Sequence, residues 1–254
     1  MGNTHNLVIL NHVTTDLAYL VGVLAGDGSI NVRPKHDYEI KCVGDVKEHE
    51  FYDLILCPIF KKLFGLNVKA KLHDAGTTYG VRIWSKSPVQ FFTEEFGLPA
   101  GKKYEKLRIP TQLRGSEELI KAFIQGLADT DFSLALKRRF KDRRYYPVIV
   151  GVSKSREFMG EVSAFLEKFG FSVSKHFDKV QEDKRFGKTT THVVQLYGHE
   201  QLAKWMIEIG FRNPKHLRKV KLWIKNNKNN TRAKSALESI AGRGNSGKGF
   251  RRPF

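Results

Sequence analysis

The amino-acid sequence predicts an α+β protein made of two pseudo-symmetric αββαββα repeats, each with an antiparallel four-stranded sheet. Three observations predict it. A set of markers occurs twice along the chain in the same order. Apolar residues switch between helical and strand periodicity in the same sequence in both halves. A glycine follows each expected helix end.

The markers fix the repeat. Residues 17–30 read LAYLVGVLAGDGSI and residues 121–134 read KAFIQGLADTDFSL, so Gly22 matches Gly126 and Asp27 matches Asp131 at an offset of 104. Gly44, Lys47, Glu50 and Phe51 match Gly151, Lys154, Glu157 and Phe158 at an offset of 107. FGL (64–66) answers FGF (169–171), and EEFGLP (94–99) answers IEIGFR (207–212). Markers that keep their order while their offsets grow slowly divide the chain into a first repeat at 13–112, a second at 113–225 and a basic tail at 226–254.

Each half reads in the same order. A first helix carries the glycine motif and runs into two strands, at 29–33 and 37–43, then at 132–139 and 145–151. A second helix spans 47–64 and 154–169. Two further strands follow, at 67–73 and 78–85, then at 172–178 and 189–197. A third helix closes each half, at 87–96 and 199–209. Glycines 65, 97, 170 and 210 stand where helix C-caps belong. Beyond the second repeat, KHLRKVKLWIK (215–225) has the apolar spacing of one more helix, docking on that repeat.

Composition narrows the function. The 254 residues are 41% hydrophobic, enough for a folded core, and carry a formal charge of +18. So large a charge implies an anionic partner, and nucleic acid is the usual one. The basic residues lie in segments of several kinds rather than on one amphipathic helix, which argues against a membrane surface. Two cysteines, Cys42 and Cys57, are too few for a disulfide framework or a zinc site, and fit an intracellular setting, cytoplasmic or organellar. No apolar run has the roughly 20 residues that span a bilayer. GRGNSGK (242–248) resembles a phosphate-binding loop, but Gly249 stands where Ser or Thr is needed and no strand precedes it.

Strand alternation gives each sheet an apolar face and a polar, basic one. On the first sheet the polar positions include Ser29, Asn31, Arg33, Lys35, Lys41, Lys69, Lys71, His73 and Arg82. On the second they include Ser133, Lys137, Arg139, His176 and Gln195, with Lys141 and Arg143 in the link between strands. Side by side the two faces would form a positive saddle that binds DNA. From Arg212 to the C-terminus 13 Lys and Arg face one acid, Glu238, so Lys215, Arg218 and the tail are further phosphate contacts. Affinity should then fall steeply with salt, with a log–log slope of roughly −0.9 per phosphate neutralised.

The first helices carry the chemistry. Ala18, Gly22 and Gly26, and likewise Ala122, Gly126 and Thr130, form stripes of small residues that let two helix backbones approach closely. Packed along these stripes, the helices would bring Asp27 and Asp131 together at their C-terminal ends, where the helix dipoles add negative charge. Such a cluster calls for a cation. Oxygen ligands near phosphates suit Mg²⁺, with Asp27, Asp131 and the neighbouring Gly26 and Thr130 as its ligands. Lys47 and Lys154, at the start of each second helix, could stabilise a transition-state phosphate or bind an activated water. Asp129, whose match is Ala25, reads as a helix or cap residue.

LVGVLAGDG (20–28) and IQGLADTDF (124–132) resemble the paired signatures of the LAGLIDADG homing endonucleases in their single-chain form, and LRIP (107–110) resembles the linker of intron-encoded members. The resemblance covers the chain to about residue 225. It implies two saddles over double-stranded DNA and metal-dependent cleavage of both strands at a long, asymmetric site. Two or more Mg²⁺ ions are implied, with Mn²⁺ able to substitute, in a protein acting as a monomer. The motif acids carry over to Asp27 and Asp131, and the family's basic residue at the strand–helix junction to Lys47 and Lys154. One position departs: the motif closes on Gly28 in the first repeat, where glycine eases the exit from the helix, but on Phe132 in the second, where a ring facing the core is expected and Asp131 could be tilted. Two alternatives use the same fold: a maturase acting on its own intron RNA, and a DNA-binding protein that does not cut.

Overall fold

The computed structural model describes residues 13–34, 37–103, 106–138, 145–183 and 187–227. Lys35, Arg139, Lys141, Arg143 and the tail from 228 lie outside them. Among the described residues no helix is long and apolar enough to cross a membrane.

Helix α1 (Thr15–Gly26) starts where the Thr14 hydroxyl accepts the Leu17 amide at 3.2 Å, and its first turn carries Asp16, which suits the positive helix start. It leads into β1 (Gly28–Arg33), β2 (Asp37–Asp45) and a 3-10 turn (Val46–Glu48). Helix α2 runs over 49–64 in three pieces: α-helical His49–Phe51, a π-helical turn Tyr52–Leu56, and α-helical Cys57–Phe64. Pro58 explains the interruption, because it has no N–H to give to the helical ladder and the turn before it widens. Strands β3 (Lys71–His73) and β4 (Thr78–Trp84) follow, then α3 over 86–95, again ending in a π-helical turn (Phe91–Glu95).

The second repeat uses the same order: α4 (Glu117–Asp131), β5 (Phe132–Lys137), β6 (Tyr146–Ser153), α5 (Arg156–Lys168), β7 (Val173–Asp183), β8 (Gly187–Tyr197) and α6 (His199–Glu208). Ser116 and Ser155 cap α4 and α5. Gly65, Gly97, Gly170 and Gly210 all have positive φ, as their C-cap positions require. The sheets share one topology, β1-β2-β4-β3 and β5-β6-β8-β7, antiparallel throughout.

Three strand readings need correction. β3 is three residues long rather than seven, which leaves Lys69 exposed outside it. β7 and β8 are eleven residues each, because the polar, Thr-rich stretch 187–191 continues the ladder past a bulge at His176/Lys179. The second sheet's open face is not basic at its centre: Ala135, Val148 and Val150 lie there beside Ser133 and Gln195, because the run PVIVGV is apolar on both alternating sets. His73 shares the open face with Lys71 by register but is buried, its Nε2 3.2 Å from the Gly80 carbonyl.

The two halves meet along α1 and α4. A β-carbon on Gly22 would lie 2.0 Å from the Phe123 carbonyl oxygen, and one on Gly126 would lie 2.0 Å from that of Tyr19. Tyr19 and Phe123 are themselves counterparts in the repeat, so the contact is isologous, as in a two-fold dimer. Gly28, where glycine was expected to ease the exit from the helix, does not have a left-handed backbone. It is needed because a β-carbon there would lie 2.6 Å from Leu24 Cα. Phe132 keeps ordinary extended angles (φ −96°, ψ 157°) and its ring is buried, as expected, in the space left by Gly151 and 6.1 Å from the Trp205 ring.

Helix α7 (Pro214–Asn227) is the additional helix. It buries Val220 and Trp223 against the second repeat, where the Trp223 indole donates to His199 at 2.8 Å. It also reaches the first repeat, where Arg218 pairs with Glu50.

Candidate active site

The close approach of α1 and α4 sets their C-terminal ends side by side. Asp27 caps α1 with helical backbone angles, and Asp131 is the last residue of α4. The Asp131 carboxyl carbon would lie 3.3 Å from a β-carbon on Gly26, so Asp131 stands against the end of the other helix. The Thr130 hydroxyl is turned back to its own helix, donating to the Leu127 carbonyl at 2.9 Å.

Both carboxyls are harder to ionise than usual. Burial raises that of Asp27, with Glu48 adding to the effect and Lys215 and Lys103 opposing it. Burial of its carboxyl against the end of α1 raises Asp131 to about 7, although the residue as a whole keeps an exposed side; the charge of Asp27 adds to the effect, and Lys103 and Lys215 pull the other way. A cation at this point is therefore favourable on electrostatic grounds.

Lys103 already acts as one. Its ammonium donates to the carbonyls of Ala25 at 3.1 Å, Leu24 at 3.3 Å and Gly26, which are the unsatisfied acceptors at the end of α1. Burial lowers its pKa, against the pull of Asp131, Cys42 and Asp27. Lys215, expected as a phosphate contact, comes to the same centre from the start of α7 and pairs with Glu48 at 2.9 Å. Neither role was read from the sequence, although a signal exists: each lysine follows the glycine that ends the third helix of its repeat, Gly97 or Gly210, by five or six residues.

Lys47 and Lys154, the basic residues expected at this centre, are exposed at the strand–helix junctions, Lys47 in the 3-10 turn and Lys154 just before the α5 cap. The positive charges that lower the pKa of Asp27 and Asp131 are those of Lys103 and Lys215.

A buried polar network ties α7 to this centre. Asp129 is fully buried on α4. Its carboxylate accepts the Tyr19 hydroxyl at 2.7 Å and the Arg212 amide at 2.9 Å, and its carbonyl accepts the Asn213 side chain at 2.9 Å. The Asn213 amide also donates to Glu48, and its oxygen accepts the Lys215 amide at 3.0 Å, which sets the start of α7. The Arg212 guanidinium stacks over Tyr19, 4.2 Å from the ring centre, and bonds Gln125 and Asp16. Asp129 is thus more than a helix residue, since it fastens α1, α4 and the entry to α7 together.

A divalent metal fits this donor set. Two carboxylates and helix-end carbonyls are hard oxygen ligands, and a positive group already occupies the spot. No cluster of three or more His, Cys, Asp or Glu side chains exists among the described residues, so the remaining ligands would be carbonyls, water or phosphate oxygens.

The first strand of each sheet begins directly after its aspartate, β1 at Gly28 and β5 at Phe132. On the first sheet, Ser29 bonds Lys41, Asn31 and Arg33 bond Glu39, and Lys41 pairs with Asp74 at 2.9 Å. Lys71 is exposed there. On the second, Ser174 bonds His176, and Lys137 lies exposed at the end of β5.

Comparison with known proteins accords with this geometry. Residues 118–210 match the model of the LAGLIDADG-like domain. No curated protein matches the chain by sequence. Among solved structures, the homing endonuclease I-DmoI in complex with DNA and Ca superposes with a TM-score of 0.56 at 17% identity, covering 82% of this chain and 97% of that one. I-DmoI with nicked target DNA and Mn gives 0.55 at 20% identity, covering 77% and 95%. The LAGLIDADG homing endonuclease I-GzeII in complex with its DNA target gives 0.51 at 9% identity, covering 94% and 100%.

Proposed function

We propose that this chain, which has the two-repeat fold of the LAGLIDADG homing endonucleases and carries a LAGLIDADG-like domain at 118–210, is a site-specific endonuclease that cuts both strands of a long, asymmetric DNA target. The observation that carries this reading is the convergence of Asp27 and Asp131 at two helix ends, with Lys103 and Lys215 beside them, between two open sheet faces. An acid–base pair of this kind recurs once per repeat, which suits one cut per strand.

Asp27 and Asp131, with the carbonyls of Gly26 and Thr130, would hold Mg²⁺, or Mn²⁺ in its place, as two or more ions. When bound, such a metal supplies the positive charge that makes water a nucleophile at neutral pH and stabilises the leaving oxygen. The protein's own part is positional and electrostatic. Lys103 and Lys215 place ammonium groups where charge develops on the phosphate. Lys47 and Lys154 are candidates for the same task from the two junctions. The sheets hold the duplex, and the reciprocal glycine contact centres it on the aspartates. One chain suffices, because the two repeats supply the pseudo-dimer.

The test is cleavage of a randomised duplex library with Mg²⁺ by the parent, Asp27→Asn and Asp131→Asn. The expected result is site-specific double-strand cutting that disappears in both variants. Binding without cutting, unchanged by either substitution, would overturn the nuclease reading and leave a protein that only binds.

A further inference from the structure

The two sheet faces differ most where the repeat makes them strictly comparable. In the first sheet Ser29, Lys41 and Arg82 are cross-strand partners. In the second the same row is Ser133, Val150 and Gln195, with Ser133 at the repeat offset of 104 from Ser29. Arg82 and Gln195 therefore occupy one position of the pseudo-two-fold structure. Both rows face away from the helices, since the alternate residues Ile30, Ile40 and Ile83, or Leu134, Ile149 and Leu196, are buried in the core.

Each of the two side chains is held by a partner in the next row. Glu39 is 1% exposed although it lies on the open face. One carboxylate oxygen forms an ion pair with the Arg82 Nε at 2.6 Å, and the other accepts the Arg33 Nη2 at 2.8 Å and the Asn31 amide at 3.2 Å. A buried carboxylate is costly unless it is paired, so its presence here has to be accounted for. The ion pair engages Arg82 at Nε rather than at its two terminal nitrogens, and the partly exposed guanidinium also sits 5.5 Å from the Trp84 ring centre. Arg33 differs, because its other nitrogen is taken by Asp37 at 2.9 Å. On the second sheet Val148 replaces Glu39, and the Tyr197 hydroxyl donates to the Gln195 carbonyl oxygen, which fixes the amide and leaves the oxygen's second lone pair to accept and the nitrogen to donate.

We infer that Arg82, positioned by Glu39, reads a guanine in the half of the target under the first repeat, and that Gln195, positioned by Tyr197, reads an adenine at the mirrored position in the other half. The chemistry is specific: a guanidinium fork matches O6 and N7 of guanine, and a side-chain amide matches N6 and N7 of adenine. Val150 and Ala135 beside Gln195 add apolar contact of the kind a thymine methyl takes. The inference rests on the DNA-target reading above and names two base pairs of that target.

The test is selection of bound duplexes from a fully randomised library by the full chain in an Asp27→Asn background, so that bound DNA survives. The parent is expected to enrich one asymmetric site with G and A at positions equidistant from its centre. Arg82→Ala should lower the preference for that G by about tenfold or more and leave the A unchanged. Gln195→Ala should do the reverse, and Arg82→Gln should turn the preference at the first position from G towards A. Glu39→Gln should weaken the G preference alone while the melting temperature holds. An unchanged preference in Arg82→Ala and Gln195→Ala would overturn the inference. Equal loss of affinity for all sequences in Glu39→Gln, together with a lower melting temperature, would overturn the positioning role. If the parent enriches no sequence at all, the DNA-target reading itself fails.

Discussion

Gly22 and Gly126 make the same contact on each other's helix: each would drive a β-carbon to within 2.0 Å of a backbone carbonyl oxygen, of Phe123 in one case and of Tyr19 in the other. A backbone carbonyl cannot rotate away as a long side chain can, so the helices must separate to admit even a methyl group. Gly22→Ala and Gly126→Ala should each destabilise the protein by about 1–3 kcal/mol or more. Thermal melting should show a loss of ~2–4 °C per kcal/mol. Gly160→Ala is the control, because a β-carbon there meets nothing within 4 Å. Equal effects at all three positions would mean that the glycines matter through helix propensity rather than through the close approach.

Lys215 and Lys103 are the basic groups that the carboxylates feel, and each is held in place, by Glu48 in one case and by the end of α1 in the other. Lys215→Met and Lys103→Met should each slow cleavage by on the order of 10²-fold while target binding persists. Lys47→Met and Lys154→Met belong in the same experiment. If they slow cleavage as much and the first pair does not, the junction lysines carry the chemistry.

The fold was legible because a repeat doubles every signal. Gly22 alone is a helical glycine, whereas Gly22 with Gly126 is an interface. The order of helices and strands and the C-cap glycines follow from the same logic. The site was only half legible. Asp27 and Asp131 belong to the repeated motif, so their pairing shows in the sequence. Lys103 and Lys215 come from chain that follows the last helix of each repeat, where spacing drifts and no periodicity marks a role. Glu39 and Asp129 were missed for another reason: each is an acid at a position whose counterpart is neutral, Val148 and Ala25, so the repeat gives no second copy to compare. The apolar open face of the second sheet was missed because a continuous run such as PVIVGV does not say which side is buried.

His216 links stability to pH. It is buried on α7, stacked on Phe211 with ring centres 4.5 Å apart. Burial, with Lys215 and Lys219 nearby, lowers its pKa from 6.5 to about 3. The folded protein therefore keeps the ring neutral where the unfolded chain would bind a proton. The contribution is complete above about pH 6.5 and is lost as pH falls towards 3, on the order of 2 kcal/mol by pH 5. His216→Phe keeps the stack and removes the proton. Its melting temperature should fall less than the parent's between pH 7 and pH 5, and parallel curves would show that the parent's acid sensitivity arises elsewhere.

Asp131 offers a measurement on the metal-free protein that cleavage assays cannot give. Its carboxyl lies beside the end of α1 that Asp27 caps; burial raises the pKa of both, and a like charge adds to it, that of Glu48 at Asp27 and that of Asp27 at Asp131. Replacing either by asparagine removes one of two like charges without changing the shape. In EDTA, Asp27→Asn and Asp131→Asn should therefore melt at or above the temperature of the parent, although both are expected to be inactive. Mg²⁺ should then raise the melting temperature of the parent, since a ligand that binds only the folded state stabilises it by mass action, by about 2.7 kcal/mol at a hundredfold excess over Kd. The same addition should shift the two variants less. A parent insensitive to Mg²⁺ without DNA would mean that the aspartates need phosphate oxygens to complete the site. Variants that melt far below the parent in EDTA would mean that Lys103 and Lys215 already neutralise the pair, and that the carboxylates hold the helix ends together rather than wait for a cation.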